Sequence, residues 1–139
     1  MTRRCFTALA AAVILQLPMG AAAQQAYPTQ DLLVTTTTAM GEPIRYPSGA
    51  AKVTMSIVTV MPGAETAWHR HPAPLVAYIL EGDLTVDYRD RGRRVYRQGE
   101  AMVEAMDVTH RGINLGSVPV RLLAVYLGAD NVPNTTLEK

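Results

Sequence analysis

PGAETAWHRHP, residues 62–72, holds two of the three histidines of a 139-residue chain, His69 and His71, with a single arginine between them. In a strand, side chains at i and i+2 share a face and stand roughly 6.6–7 Å apart. If 67–71 is extended, His69 and His71 lean to one side while Trp68 and Arg70 lean to the other. Two imidazoles so placed can each bring a nitrogen to about 2.1 Å from one first-row metal ion. A third ligand has to come from elsewhere, and the remaining histidine is His110. Two polar residues closing a surface strand would give the same short pattern. The reading therefore turns on the surrounding chain and on whether the fold brings residue 110 beside residue 70.

From residue 32 onward, short apolar runs rich in Val, Ile, Thr and Tyr are broken by Gly, Pro and Asp every ten residues or so. No segment keeps a helical apolar stripe for three turns. Strands are predicted at 32–37, 52–61, 67–71, 75–81, 84–88, 93–97, 101–105, 109–114 and 120–127. Turn residues separate them at Glu81-Gly82-Asp83, Asp90-Arg91-Gly92, Gln98-Gly99-Glu100 and Gly116-Ser117. So many short strands in one small chain call for an all-β sandwich or barrel closed on a single core.

The N-terminus reads differently. Arg3 and Arg4 precede an apolar stretch ending near Leu17, and Ala21-Ala22-Ala23 stands before Gln24-Gln25. Charge, apolar run and small residues in that order make 1–23 a secretory signal peptide, with an apolar part short of the roughly 20 residues that cross a bilayer. Taking 23 residues from 139 leaves 116, enough for one domain with one modest core. The expected destination is the bacterial periplasm or the exterior, with no membrane attachment after cleavage. Cys5, the one cysteine, leaves with the signal, so the mature domain has no disulfide. The expected organisation is a signal peptide at 1–23, an N-terminal arm and first strand at 24–45, a barrel at 46–128 and a frayed tail at 129–139. Loss of Arg3 and Arg4 takes thirteen basic residues to eleven against twelve acidic ones. Arg89, Arg91, Arg93, Arg94 and Arg97 cluster, but Asp87 and Asp90 interleave with them as in a solvated hairpin, which speaks against nucleic-acid binding.

With these pieces in place the chain resembles the cupin superfamily. The first cupin motif, G-x5-H-x-H-x3,4-E-x6-G, is met by Gly63, His69, His71 and Gly82; the second, G-x5-P-x-G-x2-H-x3-N, by Gly99, His110 and Asn114. The likeness runs from about residue 55 to 128 and is strongest to small single-domain members. It implies a single-domain double-stranded β-helix barrel in which His110 meets His69 and His71 around one divalent transition metal. The departures bear on chemistry. Leu75 and Val76 stand where the family carries its glutamate ligand, and Ala105 and Asp107 replace the proline and glycine of the second motif. Three neutral imidazoles without a carboxylate favour Fe(II), with Ni(II), Cu(II) or Zn(II) also suited, over oxygen-loving Mn(II).

Glu65 and Glu104 are the carboxylates that could stand in for the missing one, each otherwise a solvent-facing residue. Inside the barrel, Glu104 becomes a candidate general base. Met55, Met102, Met106, Leu75, Ala77, Ile79 and Val125 are the candidate apolar lining of the pocket. Trp68 reads as packing, Tyr78, Tyr88, Tyr96 and Tyr126 as core or interface residues, and Asn114 as the fixer of a turn. Arg70 and Arg111 point away from the ligand face if the strands are regular. No histidine is spare for a catalytic triad. The functions in view are a three-histidine, dioxygenase-like metal enzyme acting on a small organic substrate, a metal-dependent lyase or isomerase, and a non-catalytic metal- or small-molecule-binding module. The exposed edge at 32–37 suggests a homodimer.

Overall fold

The computed structural model describes residues 27–138, so the signal peptide expected at 1–23 lies outside them. The described residues form strands β1 (Ala51–Val60), β2 (His69–Arg70), β3 (Leu75–Glu81), β4 (Leu84–Asp87), β5 (Arg93–Tyr96), β6 (Ala101–Val103), β7 (Arg111–Ile113), β8 (Val120–Ala129) and β9 (Thr136–Leu137). A single 3-10 turn, Arg89–Arg91, joins β4 to β5. The strands pair antiparallel in three sheets, ordered β1-β8-β3-β6, β5-β4-β7 and β2-β9. This is the all-β double-stranded β-helix that the sequence predicts.

Alternation along the strands builds the interior. Leu75, Ala77 and Ile79 of β3 are buried, and Ala77 and Ile79 lie opposite Ala124 and Leu122 of β8, which are buried with them. Directly opposed residues of an antiparallel pair point to the same side, so both strands aim these positions into the barrel. Leu84 and Val86 of β4, with Tyr88 just beyond it, close the core from the other sheet, against Val60, Met102 and Val120 of the first sheet and Ala105. Gly82 shapes the β3–β4 turn. Its φ is +71°, and a Cβ there would lie 2.8 Å from the Pro119 carbonyl oxygen, so glycine alone fits without displacement.

Two expectations are corrected here. Residues 32–37 are not a sheet strand; among them only Thr37 pairs, in an isolated bridge to Pro43. The threonines themselves are the reason: the Thr35 hydroxyl donates to the Thr37 carbonyl and accepts the Thr37 N–H, occupying groups a ladder would need. Leu33, Thr35, Ile44 and Tyr46 lie instead along a groove with Pro74, Val76, Val103 and Leu127. The tail expected to fray does not. The Val132 N–H donates to the Ala129 carbonyl across Asp130 and Asn131, with Asn131 at φ +65°, and the turned chain returns to pair Thr136 and Leu137 with Arg70 and His69.

Candidate metal centre

β2 carries His69, the residue after it but one is His71, and β7 begins directly after His110. A single bridge locks them together: the His69 and His110 N–H groups each donate to the other's carbonyl at 2.9 Å. The three ring centroids stand 4.9, 4.6 and 5.1 Å apart, and one ring nitrogen from each lies within 4.8 Å of the others. The fold thus joins residues 41 positions apart, as 69 and 110 are, which the spacing of the sequence alone left open.

Main-chain carbonyls set the ring orientations. His69 Nδ1 lies 2.7 Å from the Ala67 oxygen, His71 Nδ1 2.9 Å from that of Asn134, and His110 Nδ1 2.8 Å from that of Val108. A carbonyl only accepts, so each Nδ1 carries the hydrogen and each Nε2 keeps a free lone pair. That arrangement is what a metal-binding imidazole needs from its surroundings. His110 Nε2 supplies the test of fit. It is buried and has no hydrogen-bond partner among the described residues, a condition that calls for a specific cause. An imidazole-loving ion on the three Nε2 atoms would satisfy it.

Burial favours the uncharged form of two of the donors, His71 and His69. His71 is held down to a pKa of about 3, chiefly by desolvation and further by His110 and His69, against the opposing hydrogen bond to Asn134. His69 is lowered as well, first by desolvation. Neutral imidazoles are the ligating form, so these two rings are ready for an ion at neutral pH.

Of the two carboxylates in question, Glu104 is inside. It is 4 % exposed, and its Oε2 lies 4.0 Å from His110 Nε2. Tyr88 donates its hydroxyl hydrogen to Glu104 Oε1 at 2.6 Å, and Tyr96 stands 3.3 Å behind Tyr88. Burial first, then the neighbouring Glu104 charge, raises the Tyr88 hydroxyl far above its ordinary pKa, so it stays a donor. Glu65 points outward to Arg111, 2.6 Å away, and β7 pairs with that stretch through the Glu65–Ile113 bridge. The Arg111 and Arg89 guanidiniums lie over the Trp68 ring at 4.6 and 4.5 Å. Asn114, fully buried, donates to the Val60 and Val118 carbonyls and accepts from Gly116, fixing the turn assigned to it.

The histidines open onto a cavity of about 250 Å³ whose aliphatic walls include Val58, Val60, Leu75, Leu84, Val86 and Leu122. Leu75 lines it as expected. Met55 does not: it is 65 % exposed and sits opposite Val125 on the outer face of β1 and β8, whereas Met102, Met106, Ala77 and Ile79 are core residues outside the lining. Sequence reading passed over Thr135 and Leu137 of the wall, and took as core or interface residues Tyr126, which also lines it, and Tyr88, which anchors Glu104. For Tyr88 the one available signal was its position on a predicted strand ahead of a second tyrosine. For Thr135 and Leu137 it was the Asp130-Asn131 turn that sends the chain back.

A family profile described as Cupin domain matches residues 56–126, just over half of the chain. A search of curated proteins finds no match. Among solved structures, the polyketide cyclase RemF of Streptomyces resistomycificus is similar with a TM-score of 0.55 and 23 % identity, covering 70 % of this chain and 68 % of the other. A conserved protein with a double-stranded β-helix domain from Klebsiella pneumoniae gives 0.54 at 17 %, covering 69 % and 90 %. The oxalate decarboxylase of Lactobacillus farciminis gives 0.53 at 20 %, over 61 % of this chain but 26 % of its own length. At these identities the likeness speaks for the fold alone. With the family profile across β1 to β8 and both histidine motifs gathered in one barrel, the chain belongs to the cupin family.

Proposed function

We propose that this cupin is a metal-dependent enzyme that holds one divalent transition-metal ion on the Nε2 atoms of His69, His71 and His110 and acts on a small, mostly apolar organic molecule. The observation that carries the reading is the buried carboxylate of Glu104, gripped by Tyr88 and facing His110 across 4.0 Å. Burying a carboxylate is costly, and this one stands where it can take a proton from a ligand at the centre or return one. Fe(II) is the favoured ion, with Ni(II), Cu(II) or Zn(II) as alternatives that imidazole donors also accept. When bound, such an ion acts as a Lewis acid toward an oxygen of the substrate. Tyr88 occupies Oε1, which leaves Oε2 to the cavity, and the aliphatic walls hold the ligand body and exclude water. Proton transfer of the lyase or isomerase type is the chemistry these residues support best.

Dioxygenase-like oxidation of a small diketone, thiol or phenol is the second reading. Its support is the donor set: three histidines, with Leu75 where a glutamate ligand would stand, would leave an ion with room for other ligands in an apolar pocket. Elemental analysis of the purified protein should find about one transition-metal ion per chain, lost in His71→Ala with the far-UV circular dichroism unchanged. Substrate proton exchange with deuterated water across small carbonyl compounds, set beside oxygen uptake with diketones, thiols and phenols, separates the two chemistries. Glu104→Gln should lower exchange about 10²–10⁴-fold while the ion stays bound. A folded wild-type chain that takes up no metal overturns the proposal.

A further inference from the structure

Residues 134–138 touch the centre at more points than a terminal segment needs for packing. The Asn134 carbonyl accepts the His71 Nδ1 hydrogen at 2.9 Å, and Thr135 Oγ1 lies 3.5 Å from the same nitrogen. Thr136 and Leu137, as β9, pair with Arg70 and His69 of β2, and the Glu138 N–H donates to the Trp68 carbonyl at 2.9 Å. Thr135 and Leu137 line the cavity, Leu137 with 66 % of its surface still exposed at the rim. The Glu138 carboxylate forms an ion pair with Arg89, whose guanidinium lies over Trp68 and whose backbone adopts φ +60°.

His69 and His110 take their orienting carbonyls from two residues upstream on their own stretches, Ala67 and Val108. His71 alone takes its carbonyl from a distant part of the chain, 63 residues on. Its ring is therefore fixed only while the C-terminal segment is seated. A two-residue strand pairing, the Glu138–Trp68 and Asn134–His71 hydrogen bonds and an ion pair between half-exposed groups hold that seat, a short list for one wall of the cavity.

Resting on the metal reading above, we propose that residues 134–138 are a strap that completes the centre, Asn134 positioning His71 for the ion and Thr135 and Leu137 forming the wall against which the ligand rests. Two variants of the full protein test it. One ends after Pro133; the other, Thr136→Pro, removes a strand donor opposite Arg70 and leaves the other sheets intact. Each is titrated with Co(II) against a chelator, and its visible ligand-field spectrum is recorded. The expected result is a loss of Co(II) affinity of about 10–100-fold, the usual effect of removing an orienting partner, with the ligand-field bands shifted and the circular dichroism retained. Should the shortened chain fail to fold, Thr136→Pro alone decides. Folded variants with wild-type affinity and bands overturn the strap. Wild-type protein that takes no Co(II) overturns the metal reading itself, a different outcome.

Discussion

At the level of single residues, the centre is decided by which nitrogen of each imidazole a carbonyl occupies and by which side chain stands beside it. Leu75 is the informative neighbour. It sits four residues after His71, where the family places a carboxylate, and it is buried on the cavity wall. Leu75→Glu should tighten Mn(II) binding by about tenfold or more, since a carboxylate oxygen suits that ion better than imidazole does. Competition titration of Mn(II) reads the change, and an unaltered dissociation constant would place residue 75 out of the ion's reach. His69 and His71 were legible because their i, i+2 spacing reports strand geometry directly, and His110 because it fits the second cupin motif. Glu104 was legible as the candidate base, but which of Glu104 and Glu65 faces the centre was not, because what separates them is Arg111, which draws Glu65 outward, and Tyr88, which holds Glu104 in. Neither partner lies near in sequence, so neither contact leaves a local trace.

Among the elements, β3 stands at the bounds predicted for it and β1, β4, β5, β6 and β8 within two residues of theirs, because β-branched and apolar runs bounded by turn residues, alternating in the longer strands, are a strong local signal. The failures are instructive in the same terms. β9 spans two residues, too few for any period, and exists because a turn at Asn131 delivers it to β2. Residues 32–37 have the composition of a strand but spend their polar groups on one another. The β3–β4 turn offers the sharpest test at this level. Gly82→Ala puts a Cβ against the Pro119 carbonyl at a positive φ, so stability should fall by about 1–3 kcal/mol. Denaturant melts measure it, and a loss under half that would mean the β7–β8 connection yields freely.

For the whole molecule, the buried imidazoles couple folding to acidity. His71 titrates near 6.5 when unfolded but near 3 in the native chain, so between those values the unfolded chain binds a proton that the native one refuses. Stability is then full above about 6.5 and declines as the pH falls toward 3, and His69 is shifted in the same direction. Metal-free protein should accordingly melt at steadily lower temperature from pH 7 to pH 4 in thermal scans with chelator. A flat profile would mean that water reaches His71 in the native state.

The pairing of His69 with His110, and the reach of Asn134 back to His71, span most of the barrel's contour. Contacts between such distant stretches require long loops to close, at an entropic cost. A cation held on all three rings would act as a clasp across those loops, and taking it away should hasten the opening of the barrel.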